Sequence, residues 1–563
     1  SAGRFRFSST LGELPPMRTE SPPAALLFRL RRLTILLTLA AGMLLPLKSF
    51  AEPATAVTHP ASLHAAAGGA APIPGAPRAS AVCMRSLRPR PINANDPHDT
   101  LAAIRGFHVT RLEWTYGNDA SFIQKVHDLG VEYGGALAAG SYEGKATPWL
   151  WNVIGSEAQR LAPTWMRAWP QPNPWGCANS PEFRAGHVRA ALAAVKAGAD
   201  VLHRDEPGQN EHSYHWGGCF CRHCMKGFRS WLADNADRSE LEKLGVSDLA
   251  AFDYGDYCRG KKAPTGDAFR LWKTDVLRTY FRQFQIDSSV AFNRWWRQEL
   301  DRQVGRPIAV SCNNGAKRWT PIELAFDYCI GELRRDHATP AHLHEVMQTA
   351  RSHGRTQSVT MPLDGSDEPE SPGWVAVNRR TIATMYALGG HIEMPWDTYL
   401  PTPDARRYFG RPENYADLTA FIRGIAAYLD GHSEAFAGGC SVIDERWQRQ
   451  PVSLPIPDGV FTTIRTRPGD AAAPLVMHVV DWRDEAGPLE VTIDRSAFFG
   501  DAAMTVRLLQ PVREIVPSVH AAAFDTGDYF NLFQTTVLPV DSVGHLKLPP
   551  LLPWGVIVFE KSS

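Results

Sequence analysis

The segment Asp200-Val201-Leu202-His203-Arg204-Asp205-Glu206-Pro207 decides the fold. A short apolar stretch ends abruptly in charge, soon after an alanine-rich helical stretch over 181–197. That order fits a buried parallel strand that delivers its last side chains to one rim of a barrel. Working outward, a strand-then-helix rhythm runs from about residue 105 to 430. It predicts eight strands, at 107–116, 131–139, 164–168, 200–205, 306–312, 324–330, 356–362 and 390–394. The expected fold class is α/β, a (β/α)8 TIM barrel over 105–430, closed by an amphipathic helix at 415–429.

After Gly431 the pattern changes to short alternating runs broken by Pro, Gly and Asp, with no helical periods between them. This predicts a small antiparallel, β-sandwich-like domain over 431–563 that packs on the barrel. At the other end, Arg29, Arg31 and Arg32 precede an apolar run over 33–45, and Ser49-Phe50-Ala51 offers a small-x-small cleavage site. The expectation is a signal peptide with a preceding segment over 1–51, and export to the periplasm or beyond. Residues 52–104 read as a flexible leader, rich in Ala, Pro and Gly at its start. In the 563-residue chain, 59 basic residues balance 59 acidic ones, which removes any global electrostatic reason to expect nucleic acid or an anionic membrane as partner.

Sites in such a barrel form at the C-terminal ends of the strands. There the sequence supplies Glu113, Asp205 with Glu206, Asn313 with Asn314, Asp327 and Glu332, Asp364, Glu393 and Asp397. Converging carboxylates are costly unless ligated or hydrogen-bonded, so the clustering points to chemistry, with salt bridges closing the barrel top as the plain alternative. Cleaving a glycosidic bond needs two carboxyl groups, one that donates a proton to the leaving oxygen and one that attacks or activates water. Neither step needs an organic cofactor. The same acids would also suit Mg²⁺ or Ca²⁺, but Trp114, Trp216, Trp319, Trp374, Trp396 and Tyr399 beside them favour a sugar. The catalytic candidates are Glu206 as proton donor and Glu332 or Glu393 as the second carboxylate. Glu113, Asp205, Asn313, Asn314, Trp319, Asp364, Trp396 and Asp397 are candidates for binding an oligosaccharide or polysaccharide. A glycan-binding protein on a barrel that has lost catalysis is the non-enzymatic alternative.

Cys219, Cys221 and Cys224 lie within six residues, just after the strand-four acids. Such spacing suits a shared tetrahedral Zn²⁺, with Cys177 as the natural fourth ligand. His223 as a ligand, or a disulfide from Cys177 to one of the three, are the alternatives. The chain has nine cysteines, so not all can pair internally.

Cys177-Ala178-Asn179-Ser180-Pro181-Glu182-Phe183-Arg184 and Cys219-Phe220-Cys221 with Cys224, followed by Phe228-Arg229 and Trp231-Leu232, resemble stretches of glycoside hydrolase family 42, the bacterial β-galactosidases. The resemblance implies that Glu206 matches that family's acid/base, that Asp205 replaces a preceding Asn, and that the four cysteines hold a structural zinc. It is specific over about 175–232. Two departures limit it: the predicted seventh strand leads into Thr360-Met361-Pro362-Leu363-Asp364 with no Glu where the family has its nucleophile, and no trimer-forming middle domain follows the barrel. Galactoside specificity is therefore not implied, and a distant relative acting on another glycan is expected.

Overall fold

In the computed structural model the described residues are 59–562, except 70–71, 87–98, 141–153, 156, 164–173, 273–275, 362–369, 398–408, 455–458 and 501. The expected signal peptide, and Asp364 and Tyr399, lie outside them.

Eight parallel strands close into a barrel in chain order: β1 Cys83–Arg85, β2 Arg111–Thr115, β3 Glu132–Leu137, β4 Val201–Arg204, β5 Val310–Asn313, β6 Tyr328–Glu332, β7 Gln357–Thr360 and β8 His391–Pro395. The TIM barrel is thus as expected, but two of its boundaries are not. The first strand lies in the segment read as a flexible leader, so the barrel begins near residue 82 rather than 105, and the strand expected first is β2. The expected third strand, 164–168, lies outside the described residues, and β3 pairs directly with β4, Gly134 opposite Val201. Val201–Arg204 is the fourth strand on either count.

Along β4 all four residues are buried, as a strand covered on both faces requires. Leu202 joins the core between barrel and helices, while His203 stacks on Trp114 at 4.3 Å among the interior side chains. The helix before it, Pro181–Ala197, begins with Ser180 accepting from the Phe183 N–H and Pro181 in the first turn. It ends at Gly198, whose φ of 117° puts it in the left-handed region that a side chain would disfavour. These two caps fix where the chain enters β4.

The C-terminal residues form a six-stranded antiparallel sheet, order β15-β14-β17-β12-β11-β9, and a three-stranded sheet, order β10-β13-β16. The ranges are β9 Ser433–Gly439, β10 Val452–Ser453, β11 Val460–Thr466, β12 Leu475–Asp481, β13 Leu489–Ile493, β14 Met504–Pro511, β15 Phe533–Val537, β16 His545–Leu548 and β17 Trp554–Lys561. Phe436, Ile464, Leu475, Val491, Leu546 and Phe559 belong to one apolar core that both sheets share. From the six-stranded sheet, Phe461, Val476, Trp554 and Val556 belong instead to the barrel core, with Trp554 edge-on to Phe421 at 5.1 Å. Packing on the barrel is what that sheet does. No helix among the described residues is long and apolar enough to cross a membrane.

Candidate active site at the barrel mouth

Three carboxylates stand where β4 and β6 end. Asp205 and Glu206 follow Arg204, the last residue of β4, and Glu332 is the last residue of β6. Asp205 Oδ2 accepts from the Tyr116 hydroxyl at 2.5 Å and Oδ1 from the Asn313 amide at 3.3 Å, so β2, β4 and β5 meet on this one carboxyl. Burial, and the charge of Glu206 next to it, push the Asp205 carboxyl up to about 6 against the opposing pull of Tyr116 and Arg85. Glu332 Oε1 lies 3.5 Å from Arg85 Nη1, whose guanidinium sits 3.4 Å above the Trp114 ring. Asp397 Oδ2 accepts from Ser86 at 3.2 Å on the same rim.

Glu206 itself has a φ of 53°, a left-handed conformation costly for a side chain of this kind. Its Oε2 lies 3.1 Å from His212 Nδ1, and Oε1 has no protein partner among the described residues. Trp114 is also left-handed, at 46°, beside a register shift between β2 and β3. Strained backbone at two rim positions of one barrel is the kind of departure that accompanies function.

Gly331, just before Glu332, is required by packing: a Cβ there would lie 1.9 Å from the backbone nitrogen of Ala316. Gly331→Ala is expected to destabilise the protein by about 1–3 kcal/mol and to shift the end of β6, as urea unfolding would measure.

Asp205 gives a pH-dependent expectation. Its folded pKa lies above the ordinary 3.8, so the ionised form is disfavoured by folding. The penalty is absent below about pH 4, grows as pH rises through about 6, and is complete above it. Asp205→Asn should therefore stabilise the protein at pH 7.5, by about 1–3 kcal/mol, and the gain should vanish at pH 4. Unfolding curves at the two pH values read both halves of this.

Several expected site residues are not at the mouth. Glu393 is in the middle of β8, opposite Cys83, and is fully buried inside the barrel, where burial and the Glu113 charge push its pKa well up. Glu113 is likewise interior, paired with Arg111 Nε at 2.6 Å and accepting from the Tyr328 hydroxyl at 2.7 Å. Asn314 faces Gln357, at 2.8 and 3.0 Å, and holds the loop after β5 rather than the mouth. Trp319, Trp374 and Trp396 belong to the main core, Trp396 edge-on to Phe107. Asp327 is bound to Arg297 at 2.7 Å at the start of β6. Of the expected residues the mouth gathers Asp205, Glu206, Asn313, Glu332 and Asp397. Residues not foreseen there are Arg85, Tyr116, His212 and Arg318; Tyr116 ends the predicted strand 107–116, and its place at the strand's end is the signal that points to it.

In the connections that follow β3 and β4, the sulfurs of Cys177, Cys219, Cys221 and Cys224 all lie within 4.8 Å of one another. Cys177 Sγ is 3.6 Å from Cys221 Sγ and 3.4 Å from Cys224 Sγ, close to the edge of about 3.8 Å expected for a tetrahedron with zinc–sulfur bonds near 2.3 Å. All four are free thiols rather than disulfides. N–H groups surround them: Ile154 toward Cys219 at 3.4 Å, Asn179 toward Cys224 at 3.3 Å, and Asn210 toward Cys177 and Cys224 at 3.7 and 3.6 Å. Such donors stabilise thiolates, and the donor set fits a metal ion. His223 instead lies 3.8 Å from Glu182. Asn210 is on the short helix Gln209–His215 that also carries Glu211 and His212.

No family model matches the chain. It is similar to the α-agarase of Alteromonas agarilytica, 24% identical over 285 residues that make up 47% of this chain and 20% of that protein. The α-agarase of Thalassotalea agarivorans is 25% identical over 281 residues, 46% of this chain and 19% of that one. The chain thus spans about a fifth of the length of these curated relatives. Among solved structures it is similar to an α-L-fucosidase of Paenibacillus thiaminolyticus, with TM-score 0.47 and 9% identity over 86% of this chain and all of that one. A noncanonic maltogenic α-amylase of Thermotoga neapolitana has TM-score 0.45 and 10% identity over 86% and 99%. These likenesses are broad and do not single out family 42.

Proposed function

We propose that the protein is a glycoside hydrolase that cleaves O-glycosidic bonds of an oligosaccharide or polysaccharide, with Glu206 donating the proton and Glu332 as the second carboxylate. The observation that carries this reading is the convergence of Asp205, Glu206 and Glu332 on one barrel rim, with Glu206 held in strained backbone and one of its oxygens unpartnered among the described residues. In the reaction the Glu206 proton passes to the glycosidic oxygen as the bond from that oxygen to the anomeric carbon breaks. Glu332 attacks that carbon or takes a proton from the water that does. Asp205, held by Tyr116 and Asn313, stands beside Glu206 as a fixed polar neighbour of the proton donor.

The names of the two relatives put agar first among candidate substrates. The four thiols are proposed to hold one structural Zn²⁺, which leaves no open position for substrate. The basic, apolar and small-residue series at 29–51 supports export, which N-terminal sequencing of protein from an exporting host would test. The test of function is a panel of aryl glycosides and polysaccharides, agar included, assayed for new reducing ends beside equilibrium binding. Turnover of at least one member is expected; binding without turnover would favour the glycan-binding alternative.

A further inference from the structure

We propose that His212 is a positioning residue, one that holds Glu206 at the mouth and governs how readily it keeps its proton. The proposal rests on the reading of Glu206 as proton donor. His212 is anchored from behind: its helix is tied down by Asn210, which accepts from the Ala178 N–H at 2.8 Å and donates to Gln285 at 2.9 Å. The Trp175 ring, fully buried, lies 5.9 Å from the imidazole and limits its movement.

The two ring nitrogens face different partners. Nδ1 is 3.1 Å from Glu206 Oε2, and Nε2 is 3.3 Å from Arg318 Nη1. A guanidinium only donates, so beside it Nε2 is the accepting nitrogen and the neutral ring carries its proton on Nδ1, which lies 3.1 Å from Glu206 but out of line for a hydrogen bond. Arg318 is itself fixed, with Nη2 donating to Glu211 Oε2 at 2.9 Å and Nε lying 3.2 Å from Glu323 Oε1. Glu211 Oε2 is also 3.6 Å from His212 Nε2, and its other oxygen faces His215 at 3.7 Å and Arg282 at 3.9 Å. Around the imidazole, then, Glu206 and Glu211 favour the charged ring and Arg318 opposes it. Burial pulls the His212 pKa down, and the contacts with Glu206 and Glu211 outweigh it, leaving it raised.

The consequence concerns Glu206. A positive charge on the ring, 3.1 Å from its carboxylate, stabilises the ionised form and lowers its hold on the proton. Without His212, Glu206 should stay protonated to higher pH.

On a cleaved substrate, His212→Ala is expected to move the basic limb of kcat/KM upward by about one pH unit, the size of shift a neighbouring charge produces. A purely structural role would lower stability and rate but leave the limb where it is. An arm independent of turnover follows the His212 ring by NMR through a pH titration in the parent and in Glu206→Gln: the midpoint should fall by about one unit when the carboxylate is removed. An unchanged midpoint, or an unchanged basic limb in His212→Ala, overturns the proposal. A shifted midpoint in a protein that cleaves no glycan would uphold the His212–Glu206 coupling while refuting the hydrolase reading.

Discussion

Glu332→Gln is expected to lower turnover of a cleaved glycan by roughly 10²–10⁴-fold or more, with little change in stability. The carboxamide keeps the shape and removes the negative charge that a nucleophile or general base supplies. The Glu332 side chain is 32% exposed and its ion pair with Arg85 is a long 3.5 Å, a contact worth less than about 1 kcal/mol. A fall in kcat with an unchanged unfolding midpoint would therefore report chemistry. Glu393→Gln makes the contrast: it lies inside the barrel, away from the mouth, and should leave kcat within a few-fold. Turnover within about tenfold of the parent for Glu332→Gln would move the second carboxylate to Asp397, a further acid among the described residues of the rim.

Loss of the metal should be the largest stability effect. Purified protein is expected to carry about one zinc per chain, and Cys224→Ser should lose it and unfold at a temperature lower by many degrees, since ligation contributes directly to folding. Cys224 is fully buried between Asn179 and Asn210, so an emptied site leaves thiols and amides without their partner in the interior. Because the ligands are thiolates, the stabilisation should weaken as pH falls and protons compete for sulfur. Metal analysis and thermal unfolding of the parent and Cys224→Ser decide this. A parent that holds no metal, or forms a disulfide within the four, would contradict it.

The parts of this molecule that were legible in the sequence are those where local pattern and tertiary role agree. Val201–Arg204 is apolar and then charged because it is covered on both faces and ends at the rim, so both strand and acids could be read. Strand β1 could not: Cys83–Arg85 is three residues long, follows an Ala- and Pro-rich stretch, and exists as a strand because β2 and β8 flank it in the closed barrel. Closure is a long-range fact with no periodicity to announce it. Glu393 was misplaced because the eighth strand was read as ending at Met394; it runs on through Pro395, level with Arg85, and Glu393 belongs one interior layer deeper. Trp319 and Trp396 lay near the acids in sequence but belong to the main core. His212 and Arg318 come from connections between strands, and their meeting at Glu206 is set by the tertiary fold alone.

The central claim, that Glu206 is the proton donor of a glycosidase, is tested most directly by Glu206→Gln on two substrates of one sugar. An activated aryl glycoside, whose phenol leaves readily as its anion, needs little protonation; the natural linkage, whose leaving group is a sugar alcohol, needs much. The variant, folded as the parent, is expected to lose roughly 10²–10⁴-fold on the natural linkage and far less on the aryl glycoside, with the basic limb of the pH profile flattened. Equal losses on both substrates with an unchanged basic limb would contradict it and turn attention to Asp205.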